Sequence, residues 1–312
     1  MTSTLPATGV RASSLRRGRP KQLSRRRPIA YAFVAPALAL IVIFQLYPIV
    51  NGLMLSVHEW SGVSEEQPYI GADNYLSIFQ DSIFWTSLRN AFTFGIVGVV
   101  AGGSLALGVA LLVNARPQFA GLFRAILFLP WMLSPVVFGY LWAWILDPNV
   151  GPLNKLLSGL TGGTVSFAWL ATPGLTLWVV AFVFVWAHWS FGFLIFLSGL
   201  QSVPSELTEA AQLDGANGRQ QFRYIVWPII APVAVVVSVV SLLLAMQIFG
   251  TVFVLTNGGP GYSTQVPTLL IYQEAFVNFR VGRAAAMSVI FGLVLVMCSG
   301  LQVFAARRWS DE

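Results

Sequence analysis

The sequence predicts an all-α integral membrane protein, a six-span helical bundle with a two-helix loop on its cytoplasmic side. Composition is the first reason. Hydrophobic residues fill 56% of the 312 positions and charged residues only 10%, with a mean hydropathy of +0.73. A soluble domain carries about 25% charged residues. Length is the second: apolar runs at 29–52, 91–113, 125–146, 174–200, 229–249 and 284–306 each reach the roughly 20 residues that cross a bilayer. The third is a polar, patterned segment, EAAQLDGANGRQQFRYIVWP at 209–228, set between the fourth and fifth runs.

Residues 1–28 read as a basic, unstructured cytoplasmic tail and 29–312 as one transmembrane domain. The tail lacks Asp and Glu and is rich in Arg and Ser, as transit peptides are. Pro6, Gly9, Gly18, Pro20 and Pro28 work against an amphipathic helix there. The run that follows is too long for a cleaved signal peptide and stays as the first span. Residues 53–90 carry Glu59, Glu65, Glu66, Asp73 and Asp81 among the aromatics of HEWSG and DNYLSIF, which predicts a small interfacial structure. A short turn at 114–124 makes spans two and three an antiparallel hairpin. Residues 147–173, with DPNVGPLN and TGG, are turn-rich. The fourth run is long enough to tilt or to begin at the interface. In 251–283, NGGPGYST marks a turn and IYQEAF a short helix. Tyr47, Trp60, Trp85, Trp131, Trp142, Trp144 and Trp309 fall near span ends, where aromatic belts sit.

Charge orients the bundle. Of 18 Lys and Arg, eight precede the first span: Arg11, Arg16, Arg17, Arg19, Lys21, Arg25, Arg26 and Arg27. With that end inside, Arg116, Arg124, Arg219, Arg223, Arg307 and Arg308 join them, leaving Arg89, Lys155, Arg280 and Arg283 outside. The bias predicts two cytoplasmic termini, with the tail touching anionic membrane lipids. Nucleic-acid binding is excluded for want of a basic surface interleaved with aromatics.

The chain holds no chemistry of its own. It has no G-x-x-x-x-G-K-[ST] loop to cradle a phosphate, no GxSxG elbow, no HExxH pair and no two carboxylates on one span. No metal site is expected, since Cys298 is the sole cysteine and His58 and His188 stand far apart. The predicted spans contain no Asp, Glu, Lys or Arg, so a proton relay lacks the groups that such carriers use. Energy for transport would then come from outside the bilayer. A gradient-driven carrier with sodium sites of backbone carbonyls stays open, as does an integral membrane protein of other function. Trp186, His188, Trp189 and Ser190 either line a cavity, where aromatic faces stack on sugar rings, or pack the fourth span. Gln247 and Phe249, at the end of the fifth run, join Trp186, His188 and Trp189 as candidates for a substrate pathway.

The segment at 203–228 is patterned as two helices about a knee. Pro204 suits a first turn, and Glu206 and Glu209 lie near its positive end. Leu207, Ala210, Ala211 and Asp214 share one side. Gly215 can adopt the left-handed conformation that ends a helix, and Gly218 adds a second flexible point. Residues 220–226 form the second helix, with Phe222, Ile225 and Val226 as its apolar stripe, and Pro228 opens span five. Small residues at the knee admit a partner surface, and Glu209 and Asp214 offer it anchoring charges. An amphipathic helix lying on lipid fits the same pattern.

EAAQLDGAN, followed by Phe222, Ile225 and Pro228, resembles the EAA loop of permease subunits in binding-protein-dependent ABC importers. The resemblance extends to FVAPALALIVIFQLYPI, SLRNAF, FRAILFLPWMLSPVVFGYLWAWI, FGTVFVLTNGGPGYST and GRAAAMSV, and so covers nearly everything after the tail. The NGGP turn is similar to that of the maltose- and glycerol-3-phosphate-type carbohydrate branch, and of the first of its two permeases. The chain lacks the large external insertion of the maltose-system member, so that member's substrate contacts are not carried over.

The resemblance implies an importer subunit in a bacterial or archaeal cell membrane, forming half of a sugar pathway. It would pair with a second permease and a cytoplasmic ATPase dimer, which would bind ATP and magnesium; no cofactor is expected on this chain. Glu209 would form an ion pair in the ATPase cleft. Ala210, Ala211, Gly215 and Ala216 would pack closely there, alongside Asp214 and Phe222. An external solute-binding protein would touch 53–90 and the turn of Asn257, Gly258, Gly259 and Pro260.

Overall fold

The computed structural model describes residues 27–115 and 120–310, and every regular element among them is helical. The tail read over 1–28 lies outside those residues, apart from Arg27 and Pro28, which open the first helix. Contacts divide the chain into two units, Met1–Val50 and Asn51–Glu312.

The first unit holds α1 (Arg27–Ile41), a π turn (Val42–Leu46) and the start of α2 (Tyr47–Leu55). Together they realise the first predicted span, Phe33–Leu55. The π turn has a cause in the next residues. Pro48 has no N–H to give and its ring crowds the preceding turn. The chain widens there, and the Tyr47 N–H reaches back to the Val42 carbonyl.

The second unit continues with α3 (Asp73–Phe79) and α4 (Ser82–Val97), then a π turn (Gly98–Gly102) into α5 (Gly103–Asn114). α6 (Ala120–Met132), α7 (Pro135–Ile145) and α8 (Pro152–Thr161) follow, then the long α9 (Thr176–Gln201). α10 (Ser205–Leu213) and α11 (Gly218–Gln221) make up the polar loop, and a π turn (Phe222–Val226) leads into α12 (Trp227–Met246). α13 (Gly250–Leu255), α14 (Pro267–Tyr272), a π turn (Gln273–Val277) and α15 (Val281–Ser310) complete it.

Spans two, four, five and six are present as continuous helices, with ends set by local chemistry rather than hydropathy. Span two begins at Ser82, well before the apolar run, because the Asp81 carboxylate caps it by accepting the Ile83 N–H at 2.8 Å. The third run is not one straight span: α6 and α7 meet at 90°. Pro135 breaks it, since the residue before a proline is pushed out of the helical region. Ser134 duly sits at φ −59°, ψ 140°. The connection read as turns at 147–173 contains α8, pinned by the buried side chain of Asn154. That amide donates to the carbonyls of Pro148 and Phe167 and accepts from the Trp169 indole at 2.8 Å. Nearby, backbone N–H groups of Val150 and Asn149 hold the Asp147 carboxyl below its ordinary pKa.

α9 is the axis of the core, packed against α5, α6 and α12. Val180, Val183, Phe184, Phe193 and Leu197 on it are buried. α4 and α12 approach closely because glycines face the crossing. A Cβ added to Gly95 or Gly98 would lie 2.8 Å from Leu242 Cδ1 or Ala245 Cβ. In a membrane, where lipid is as apolar as leucine, such close contact drives helices together.

At the bundle end opposite the polar loop, a partly buried charge network ties α15 to α4. Arg283 bonds Asp81 at 2.5 Å and approaches Glu274 at 3.8 Å. Asn278 donates to Glu274 at 3.0 Å. The Asp81 carboxylate thus caps one span while holding another.

Candidate functional site

The polar loop has a defined knee. Its first helix, α10, ends in a Schellman motif: the Ala216 N–H bonds the Ala211 carbonyl at 2.9 Å, and the Gly215 N–H bonds that of Gln212 at 3.0 Å. Gly215 takes φ +82°, a conformation only glycine adopts without strain. Beyond it, Asn217 caps α11 in a capping box with Gln220, at 2.9 and 2.8 Å. The N-x-x-Q spacing at 217–220 carried that signal in the sequence. The second helix does not stop before Pro228 but runs through it into α12. A π turn again precedes the proline, with the Trp227 N–H on the Phe222 carbonyl.

The loop's chemistry is presented outward. Glu209, Ala210, Asp214 and Gly215 are exposed, and Ala211 and Ala216 are half-buried. Among the described residues no ion pair engages Glu209 or Asp214. Leu213, beside the knee, is 90% exposed, an apolar side chain that composition alone did not single out. Phe222 points the other way. It is half-buried, 6.0 Å from the Trp227 ring, and packs on the cluster of Phe193, Phe196 and Ile230 at the base of α9 and α12. A push on α11 therefore acts on α12 directly, through one unbroken helix.

The pathway candidates separate into three places. His188 and Trp189 border a cleft between the α4–α5 segment and α9–α12, together with Phe191, Ser241 and Leu244. Its volume is about 10 Å³, room for about one water, against the roughly 300 Å³ or more of a small-solute site. Ser241, with Ser238 one of two hydroxyls on an otherwise apolar helix, was not picked out in the sequence. Trp186 faces away from this cleft, edge-on to Trp142 at 5.4 Å and Phe138 at 6.5 Å on α7. Gln247 and Phe249 lie at the interruption between α12 and α13, where Gln247 is exposed. A larger cavity of about 480 Å³ has walls of Trp142, Trp169, Trp178, Phe182 and leucines. It offers a hydroxylated solute too little to bond with.

The turn at 257–262 is held from beneath. Asn257 and Tyr262 take positive φ angles of 46° and 64°, as do Gly258 and Gly261. Asn90 of α4, buried, donates to the carbonyls of Ser263 and Gln265 at 3.0 and 2.9 Å. Thr264 donates to the Gly259 carbonyl at 2.8 Å. Of the four residues singled out here, Asn257 is exposed, Gly259 and Pro260 are half-buried, and Gly258 is buried. Gly258 is needed for space as well as for φ +86°, since an added Cβ would run into the Gln265 amide oxygen. Gly258→Ala is expected to destabilise the protein by about 2–4 kcal/mol. The check is the thermal unfolding midpoint of purified protein in detergent; an unchanged midpoint would show that the turn relaxes freely.

Residues 96–311 match the family model described as binding-protein-dependent transport system inner membrane component. A probable ABC transporter permease protein of Pyrococcus horikoshii is 34% identical over 86% of this chain and 94% of its own length. The trehalose/maltose transport system permease protein MalF of Thermococcus litoralis is 31% identical over 88% of this chain and 90% of its own. A chain of a bacterial alginate ABC transporter, solved in complex with an alginate pentasaccharide-bound periplasmic protein, shares the fold. It matches at a TM-score of 0.81 and 23% identity, over 92% of this chain and 96% of that one.

Proposed function

This chain belongs to the family of binding-protein-dependent transport system inner membrane components, and on that premise we propose that it forms half of the passage for a neutral sugar. A separate ATPase drives the passage through the loop at 203–228. The observation that carries this reading is the exposed knee, with its small residues and free carboxylates, rooted in a helix continuous with α12. ATP and magnesium belong to the partner ATPase dimer, whose closure pushes α10 and α11. A second, similar permease supplies the other wall, since the cleft beside His188 and Ser241 encloses no solute by itself. An extracytoplasmic solute-binding protein meets the chain at the opposite end, where Asn257 and Tyr262 are exposed. Both termini face the cytoplasm, in keeping with the excess of Lys and Arg on that side.

The sugar reading rests on charge and on relatives. A buried phosphate requires Arg or Lys, and the predicted spans contain neither. Relatives named for trehalose/maltose and for starch degradation products align over 88% and 90% of the chain. The test is uptake by a strain lacking this chain and by the same strain with it restored. Radiolabelled maltose, trehalose and sn-glycerol-3-phosphate are the substrates. Restored uptake of a neutral sugar is expected; restoration of the phosphate ester alone would reject the reading.

A further inference from the structure

The second unit has two apolar cores, and two of its spans are interrupted where they pass from one to the other. The outer core gathers Phe94 of α4, Phe138 of α7, Val180 and Phe184 of α9 and Ala245 of α12. The inner core, beside the polar loop, gathers Ala106 and Ala110 of α5, Phe193 and Leu197 of α9 and Ile230 of α12. Leu127 of α6 packs on it. Span two thus gives α4 to the outer core and α5 to the inner one, and the π turn Gly98–Gly102 lies between them. The third run does the same in reverse, with the 90° break at Ser134 between α6 and α7. α9 and α12 cross unbroken, yet hydroxyls mark the crossing. Ser238 turns its own back on the Val235 carbonyl at 2.8 Å, a bond that slackens a helix. The Ser190 hydroxyl is fully buried and has no hydrogen-bond partner among the described residues. The cleft of about 10 Å³ beside Gly98, Gly102 and Ser241 lies in the same layer.

We infer that the inner core, with the polar loop attached, pivots as a unit against the outer core, about the π turn of span two and the break at Ser134. The inference rests on the coupling reading above. Two glycines carry it. Pro48 and Pro228 explain two other π turns, but no proline lies in this one or in α5 beyond it. Gly102 and Gly103 hold ordinary helical angles, φ −64° and −65°. A Cβ added to either would meet nothing within 4 Å. Neither space nor the conformation seen here requires glycine at these two positions. What glycine adds is freedom to leave that conformation at little cost, which a hinge needs. Gly98 differs, since its added Cβ would lie 2.8 Å from Ala245. The turn is therefore fastened to the outer core at its start and free at its end. The external turn at 257–262 is held to α4 by Asn90, so the pivot moves the two ends of the chain against each other. It opens or shuts the cleft beside His188 and Ser241, which has room here for about one water.

The test stiffens the turn without disturbing it. The Gly102→Ala, Gly103→Ala double variant keeps the angles seen here and makes leaving them costly. Its thermal midpoint is expected to equal or exceed the parent's. Uptake of radiolabelled maltose or trehalose is expected to fall about tenfold, since each alanine favours the helix. Gly108→Ala, in α5 and equally free of neighbours, is expected to transport as the parent does. Parental uptake by the double variant, or an equal fall with Gly108→Ala, would overturn the inference. So would loss of the second permease on purification, for the glycines would then be a contact surface. The motion itself is read by electron–electron resonance between spin labels in the assembled complex, with and without ATP and magnesium, after Cys298→Ser. Labels at the exposed Leu112 and Val137 span the two cores, while labels at Leu112 and Ile126 stay on the inner one. The first distance is expected to change and the second to stay constant. A complex that hydrolyses ATP with both distances fixed, or with both changed, rejects the pivot whatever the double variant's midpoint. These distances decide the matter without a transported sugar. Failure of the coupling reading is seen separately, when Glu209→Lys transports like the parent.

Discussion

Arg283→Ala is expected to lower stability by about 3 kcal/mol, the lower end of the cost of breaking a buried ion pair, since Asp81 and Arg283 are only partly buried. The Arg283 side chain is 17% exposed, Asp81 19% and Glu274 8%. Asp81 would keep the Ile83 N–H, and Glu274 the Asn278 amide and the exposed Arg280 guanidinium at 3.9 Å, but Asp81 would lose its only counter-charge among the described residues. The loss would spread, because Asp81 caps α4 and Arg283 lies in the first turn of α15. Arg283→Lys is a poor substitute, since one ammonium cannot reproduce the guanidinium fork that faces both acids. The measurement is the thermal midpoint of purified protein, with the Arg283→Met, Asp81→Asn, Glu274→Gln triple variant as control. Removing these three charges together, with the exposed Arg280 left in water, is expected to recover most of the loss. A midpoint unmoved by Arg283→Ala would sink the claim that this network holds the two spans together.

Glu209→Lys and Gly215→Asp are expected to abolish uptake while leaving folding nearly intact. Glu209 is exposed and joins no ion pair among the described residues, so its replacement shifts stability by no more than about 0.5 kcal/mol. Nothing lies within 4 Å of a Cβ added to Gly215. The only cost within the chain is φ +82°, which aspartate tolerates better than most residues. On the coupling role proposed above, the aspartate would obstruct the approach of a partner to the knee. Uptake should fall more than about tenfold, the effect of about 1.4 kcal/mol on binding, and the ATPase recovered with the tagged chain should fall in parallel. Parental uptake in both variants would defeat the coupling role of this loop.

How much was legible in advance follows from where each interaction lies along the chain. The knee at Gly215 was readable because a helix stop is written in adjacent residues, and Asn217 and Gln220 carried a capping signal three residues apart. The fates of Phe222 and Trp186 were not readable. Each aromatic stood on a plausible face, and only neighbours from other helices drew Phe222 onto the base of α12 and Trp186 against α7. The break at Ser134–Pro135 had a local cause, yet hydropathy summed over the run hid it, since proline changes backbone direction and barely changes polarity.

Membrane residence, the number of apolar runs and the helix–knee–helix shape of the polar loop were decided by residues acting over a turn or two of helix, where composition and spacing are sufficient physics. The charge clamp of Asp81 with Arg283, the hold of Asn90 on a turn some 170 residues away and the mutual packing of the Phe249, Phe253, Tyr272 and Phe276 rings were decided by packing. These pairings join groups that share no local pattern. Their energies come from burial and from geometry that exists only once the helices are side by side.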